Sequence, residues 1–258
     1  MTPEVIATIG LALFGLCIGS FLNVVIHRLP RGTSVVTPPS RCPNCNYLLR
    51  WSDNVPVLSW VFLRGRCRKC GTPISIRYPI VEILTMLMFL LHLWVFGWSA
   101  LMVVRVVFAT ALIALFAIDL EHQLLPNAIT LPGIVVGLIA SLVLPPGIVD
   151  AILGTLLGYG ILWAIAAAYH RYAGHEGMGG GDLKMLAMIG AFLGWKLVVV
   201  TLVLGSVSGS LIGLLVIAIK RGDRKYALPF GTFLALGALA ASLVGDRILA
   251  WYLGMYDF

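Results

Sequence analysis

The stretch from Gly177 to Gly190, GMGGGDLKMLAMIG, decides how this chain is read. Its aspartate, Asp182, follows a run of glycines and directly precedes an apolar helix. A second aspartate, Asp119, closes another apolar stretch, ALIALFAID. Ionisable groups at the mouths of apolar helices are costly and point to function.

Composition places these helices in a membrane. Of the 258 residues 60% are hydrophobic and 11% charged, and the mean hydropathy is +0.98. Soluble domains carry about 25% charged residues. The chain therefore reads as an all-α polytopic membrane protein, about eight transmembrane helices with a small cytoplasmic zinc-binding insert. Apolar runs of roughly 20 residues span a bilayer as helices, because lipid leaves no partner for an unpaired backbone group. The first run is not a cleavable signal: MTPE is acidic, and the run is too long. The net charge of +7 sits in loops, as the positive-inside rule expects, so no nucleic-acid partner is inferred.

Residues 1–26 hold the first span, over 4–26. Residues 27–77 are the polar insert, with nine of the 18 Lys and Arg residues. That density puts the insert in the cytoplasm and the N-terminus outside. Residues 78–258 form a seven-helix core, with spans near 78–96, 99–118, 128–144, 149–170, 183–194, 197–219 and 228–250. The break at Gly194-Trp195-Lys196 divides a stretch too long for one crossing. This topology puts loops 119–127, 171–182 and 220–226 in the cytoplasm, so Asp119 and Asp182 share one depth. No internal repeat is evident.

Four of the five cysteines lie in the insert, as CPNC (Cys42, Cys45) and CRKC (Cys67, Cys70). Two CxxC pairs about 20 residues apart read as a tetrahedral zinc site. Four thiolates leave no open position, so the metal is structural. Disulfides are disfavoured in the cytoplasm. Cys17, within the first span, reads as a packing residue.

Two carboxylates sharing a water can divide one proton, one acting as base and the other as acid. On that reading Asp119 and Asp182 form an aspartyl protease dyad. Asp182 at a helix N-terminus favours the anion, and Asp119 at a helix C-terminus disfavours it. Gly177, Gly179, Gly180 and Gly181 would let an extended substrate strand approach. The residues alone leave a plainer reading open: Asp182 as a helix cap and Asp119 as the start of a polar loop. They also leave open a small transporter using both carboxylates, or a zinc-bearing scaffold. HEGMG at 175–179 is not HExxH, and no GxSxG elbow is present, which argues against zinc and serine hydrolases.

GMGGGDLKMLAMIGAFLGW resembles the GxGD signature of the type IV prepilin peptidases, bifunctional leader peptidases and N-methyltransferases. FAIDLEHQLLPN is similar to that family's first aspartate motif. GSFLNVVIHRLP, the paired CxxC motifs, RYPIVEILT and LPFGTFLALG match in order along nearly the whole chain. The resemblance implies leader cleavage from prepilins and pseudopilins at the cytoplasmic face, after a glycine and before phenylalanine. It implies methylation of the new N-terminus with S-adenosylmethionine as donor. It places catalysis on Asp119 and Asp182, and zinc on Cys42, Cys45, Cys67 and Cys70. It connects the segment LRGRC, with Gly65, to methyl transfer. Where the motif commonly ends LPD, this chain has Asn127. Gly179, Gly181, Glu121 and Gly65 are the candidate substrate contacts. Glu121 and Glu176 could attract a basic leader, although solvated loop charges are the plainer reading. Glu82 either faces the site or pairs with Arg77, and Arg105 either pairs within the bundle or snorkels.

Overall fold

The computed structural model describes residues 2–175, 178–219 and 229–255. Glu176, Gly177 and the basic loop 220–226 lie outside the described residues. Among the described residues the regular structure is helical, with two isolated β-bridges, Arg41 to Leu48 and Arg66 to Pro73. The chain divides into two compact units, Met1–Trp98 and Ser99–Phe258.

The first unit holds α1 (Pro3–Arg28), α2 (Leu58–Phe62) and α3 (Arg77–Phe96). A proline at the first helical position suits α1, since its missing N–H would be unpaired anyway. α1 packs on α3 through glycines. A Cβ on Gly15 would lie 2.9 Å from Met86 Cα, and one on Gly19 2.6 Å from Glu82 Cα. In lipid, where apolar burial drives little association, such close backbone approach holds helices together.

The second unit holds α4 (Ala100–His122), α5 (Asn127–Ala140), α6 (Ile148–Ala173), α7 (Gly180–Ile219) and α8 (Phe230–Gly254). Ser99 caps α4, accepting from the Met102 N–H at 3.1 Å. Phe108, Leu112 and Leu115 of α4 are fully buried with Met185, Leu186 and Ile189 of α7. Phe108 stacks on Phe192 at 4.7 Å between ring centres.

α7 is broken where the sequence places a break. Gly194 has φ 78° and ψ 170°, a conformation no L side chain adopts easily. Eight apolar helical pieces thus stand near the eight expected spans. Among the described residues six helices are long and apolar enough to cross a membrane, slightly fewer than the expected spans. α5 has 14 residues, a rise of about 21 Å against a hydrocarbon core of about 30 Å. The first half of α7, residues 180–193, is equally short, so α7 counts once.

α6 and α7 meet at glycines too. A Cβ on Gly158 would lie 2.6 Å from Leu186 O, and one on Gly190 would overlap the Gly154 carbonyl. Because backbone cannot yield as a side chain can, Gly190→Ala is expected to cost about 1–3 kcal/mol or more. In a detergent melt it should lower the midpoint by several degrees. Gly160→Ala, which meets nothing within 4 Å, should leave the midpoint unchanged.

Candidate active site and metal centre

Asp119 lies in the last turn of α4 and is 4% exposed. α4 stops four residues later at Gln123, whose left-handed backbone returns its N–H to Asp119 O at 2.8 Å. The carboxylate points at the start of α8. Asp119 Oδ2 accepts from the Thr232 N–H at 2.6 Å and from Thr232 Oγ1 at 3.0 Å. The first N–H groups of a helix have no internal partner, and here α4 supplies one for α8.

Asp182 lies in the first turn of α7, partly buried. Its N–H donates to Gly179 O at 3.2 Å. Asp119 acts on it electrostatically, and Leu125 lies against both Gly181, next to Asp182, and Gly231, beside Asp119, so the two carboxylates share one neighbourhood. The helix-end expectation for the pair needs correction. Asp119 closes α4 but also sits at the N-terminus of α8, so both carboxylates face the positive end of a helix dipole. Dipoles therefore do not separate their roles.

The glycines divide in role. A Cβ on Gly180 would meet nothing within 4 Å, and one on Gly179 would lie 3.8 Å from Asp182 Oδ2. Both positions are open beside the carboxylate. Gly181 instead receives its own chain: a Cβ there would lie 2.8 Å from Leu125 Cβ. Gly231 also meets Leu125, a Cβ on it lying 2.8 Å from Leu125 Cδ1 and 2.9 Å from Asp119 Oδ2. Leu125 thus takes up the space that a side chain at either glycine would need. Sequence reasoning does not single out Thr232, Gly231 or Leu125. Their local signal is a Gly-Thr pair just after Pro229, where a helix begins with free N–H groups.

Asn127 opens α5 and accepts from Lys184 Nζ at 2.9 Å. The amide thus still ties α5 to the helix bearing Asp182. Glu121 is exposed, with Oε2 3.8 Å from His122 Nε2. Arg105 is 5% exposed within α4, and Asp246 acts on it electrostatically.

In the first unit the four cysteines converge. One ligand atom from each of Cys42, Cys45, Cys67 and Cys70 lies within 4.8 Å of the others. Cys42 Sγ is 3.8 Å from Cys70 Sγ, and Cys45 Sγ is 4.0 Å from Cys67 Sγ. A tetrahedral zinc with bonds of about 2.3 Å needs edges of about 3.8 Å, so the thiols fit the ion. All four are free of disulfides. Hydrogen bonds from Thr72 pull the Cys70 thiol down to about 6, and the Cys45 and Asn44 backbone lowers Cys42. Cys45 goes the other way: against the Tyr47 backbone bond, burial and the three neighbouring thiols push it up to about 11, so Cys42 and Cys70 are the thiols poised as thiolates for a metal.

The two cysteine turns are a repeat that spacing alone does not reveal. Asn46 N–H donates to Cys42 O, and Gly71 N–H donates to Cys67 O, each at 3.0 Å. Asn46 and Gly71 both have positive φ, 55° and 71°. Asn44 Nδ2 bonds Thr72 Oγ1 at 2.8 Å across the two turns. Asp53 ties them further, accepting from Arg68 Nε at 2.7 Å, Tyr47 OH and the Arg50 N–H. Burial pushes the Asp53 carboxyl up, but these three donors outweigh it and hold it below the usual range.

Gly65, φ 65°, lies beneath an indole: a Cβ there would be 2.9 Å from Trp60 Cζ2. Glu82 is 7% exposed on α3, and its Oε2 accepts from the Val57 N–H at 2.7 Å.

A helical membrane protein with paired carboxylates at helix mouths and a closed four-cysteine site is the class these features define. The comparisons name the family. A model described as Bacterial Peptidase A24 N-terminal domain matches residues 13–96, and one described as Type IV leader peptidase family matches residues 106–214. A protein of Aeromonas hydrophila named prepilin leader peptidase/N-methyltransferase is 40% identical, over 93% of this chain and 92% of that one. Proteins of the same name from Pseudomonas putida (37%, covering 100% and 97%) and Legionella pneumophila (36%, covering 95% and 93%) are also similar. No solved structure matches. The chain belongs to the type IV leader peptidase family.

Proposed function

We propose that this protein cleaves the leader from prepilins and pseudopilins with Asp119 and Asp182, then N-methylates the new N-terminus. The observation that carries the cleavage reading is the meeting of the two carboxylates at the mouths of α4 and α7. The methyl-transfer reading rests on the relatives' names.

Cleavage needs a water, a base and an acid. One carboxylate takes the water's proton as its oxygen attacks the scissile carbonyl. The other donates its proton to the developing oxyanion; the first then passes the water's proton to the leaving amine, and collapse of the diol returns the second carboxyl's proton. Asp119 Oδ2 is held by two donors from Thr232, which leaves Oδ1 to exchange protons with Asp182. The pair titrates as a unit. Open space at Gly179 and Gly180 admits an extended strand beside Asp182. The substrate's apolar helix stays in the bilayer, and its basic leader lies in the cytoplasm beside Glu121. The protein sits in the inner membrane with its N-terminus outside. Cys42, Cys45, Cys67 and Cys70 would hold a zinc ion, which would tie the two cysteine turns together. S-adenosylmethionine, when bound, supplies a methyl group to the free amine, which gives up a proton.

Thr232 is a positioning residue on this reading. Thr232→Val keeps the N–H bond and removes the hydroxyl bond, and should slow cleavage about tenfold, the size of one charge-assisted hydrogen bond. Thr232→Ser should restore the rate. Equal rates for Thr232→Val and wild type would dismiss the role. The reading itself is tested by incubating purified, zinc-replete protein with a prepilin. Release of the leader supports it, and intact prepilin overturns it.

A further inference from the structure

The short helix α2 has two faces. Ser59, Trp60 and the following Leu63 turn inward and line a cavity of the first unit with Glu82. Leu58, Val61 and Phe62 turn outward and are 55%, 56% and 82% exposed. Their i, i+3, i+4 spacing puts three large apolar side chains on one stripe. The turn at Trp51–Asp53 packs on α2 and brings a fourth, Trp51. Single exposed apolar residues are ordinary, whereas a cluster marks a surface that meets something.

The depth of α2 points to lipid. α3 has 20 residues, a rise of about 30 Å, which matches a hydrocarbon core of about 30 Å with no length to spare. Glu82 lies about 8 Å along it from Arg77. Its Oε2 accepts at 2.7 Å from the N–H of Val57, the residue that caps the start of α2. Trp60 Nε1 donates to Ile74 O at 3.1 Å, just before α3 begins. These bonds tie α2 to the first turns of a membrane span, at the level of the headgroups. The charge of the segment points to the kind of lipid. From Arg50 to Lys69 there are five basic residues and one acid, Asp53. Asp53 is buried and taken by Arg68, Tyr47 and the Arg50 N–H. Arg50, beside Trp51, and Arg64, just after the stripe, are exposed. An apolar stripe with a tryptophan and flanking arginines suits the interface of an anionic leaflet.

We propose that Trp51, Leu58, Val61 and Phe62 dip into the bilayer that α1 and α3 cross, with Arg50 and Arg64 on anionic lipid headgroups. The cysteine module is then held against the membrane surface by α2 as well as by the two spans at its ends.

The test puts a nitroxide label on Phe62→Cys in a Cys17→Ala background, using the full-length protein in lipid nanodiscs. Phe62 is exposed, so the change costs no packing, and wild-type zinc content reports that the module is intact. In discs of phosphatidylcholine mixed with phosphatidylglycerol, the label should meet dissolved oxygen more readily than an aqueous nickel chelate. Its collisions with the chelate should be at least about fivefold rarer than in discs of phosphatidylcholine alone, the size of one arginine's attraction to an anionic surface. Arg50→Gln combined with Arg64→Gln should remove that difference and leave the zinc content unchanged. A label that meets the chelate equally in both kinds of disc would overturn the proposal. A label shielded only once prepilin is added would overturn it too, and would assign the face to a protein partner.

Discussion

Cys67→Ser protein, purified in detergent, is expected to carry no zinc and to be cut by protease throughout residues 30–76. Wild type should carry about one zinc per chain and resist. The reason is the small core of this segment. α2 has five residues, and none is buried. Trp51 and Phe62 are 85% and 82% exposed. What holds the segment is the set of four thiols, the Asn44–Thr72 bond and the Asp53 contacts. Structural zinc contributes about 10–16 kcal/mol of apparent binding energy in small domains, against about 1–3 kcal/mol for a hydrogen bond to a charged group. The metal therefore dominates. Metal-free wild type with a protected insert would contradict this.

Asp119→Asn and Asp182→Asn are each expected to slow leader cleavage at least about 10³-fold, because an amide neither takes nor gives the proton that the step requires. The amide of Asp119→Asn would still present an oxygen to Thr232, so the start of α8 should hold and the melt should change little. Groups that act as a unit give non-additive losses. The double variant should thus be about as slow as either single one. Losses that multiply in the double variant would mean that the carboxylates work separately.

Parts of this site are legible in the sequence because their signals are local. CxxC spacing announces a metal whatever the fold, and the four thiols do converge. A glycine before a tryptophan in a stretch too long for one crossing announces the break at Gly194. An aspartate closing an apolar run is conspicuous by cost alone. Other parts depend on contacts between distant segments. Thr232 is 113 residues from Asp119, and nothing near either residue points to the other. The same blindness misplaces the helix-end reasoning. Sequence assigns Asp119 to the end of α4, and it does not show the start of α8, which supplies the donors. Gly181 reads as room for substrate and is filled by Leu125. Glu82 is legible as a costly residue, but its Val57 partner and the cavity beside it belong to packing. The eight apolar helical pieces fit the expectation, and among the described residues six helices are long enough to cross, because hydropathy registers apolar stretches whereas crossing also needs length.

The most direct measurement of the central claim is a mass spectrum of one prepilin after incubation with wild type, Asp119→Asn and Asp182→Asn, at equal zinc content. The expected result is a pilin shortened by its leader with wild type and unchanged prepilin with both variants. Cleavage by either variant at the wild-type rate would contradict it, and would leave these aspartates as helix-end residues.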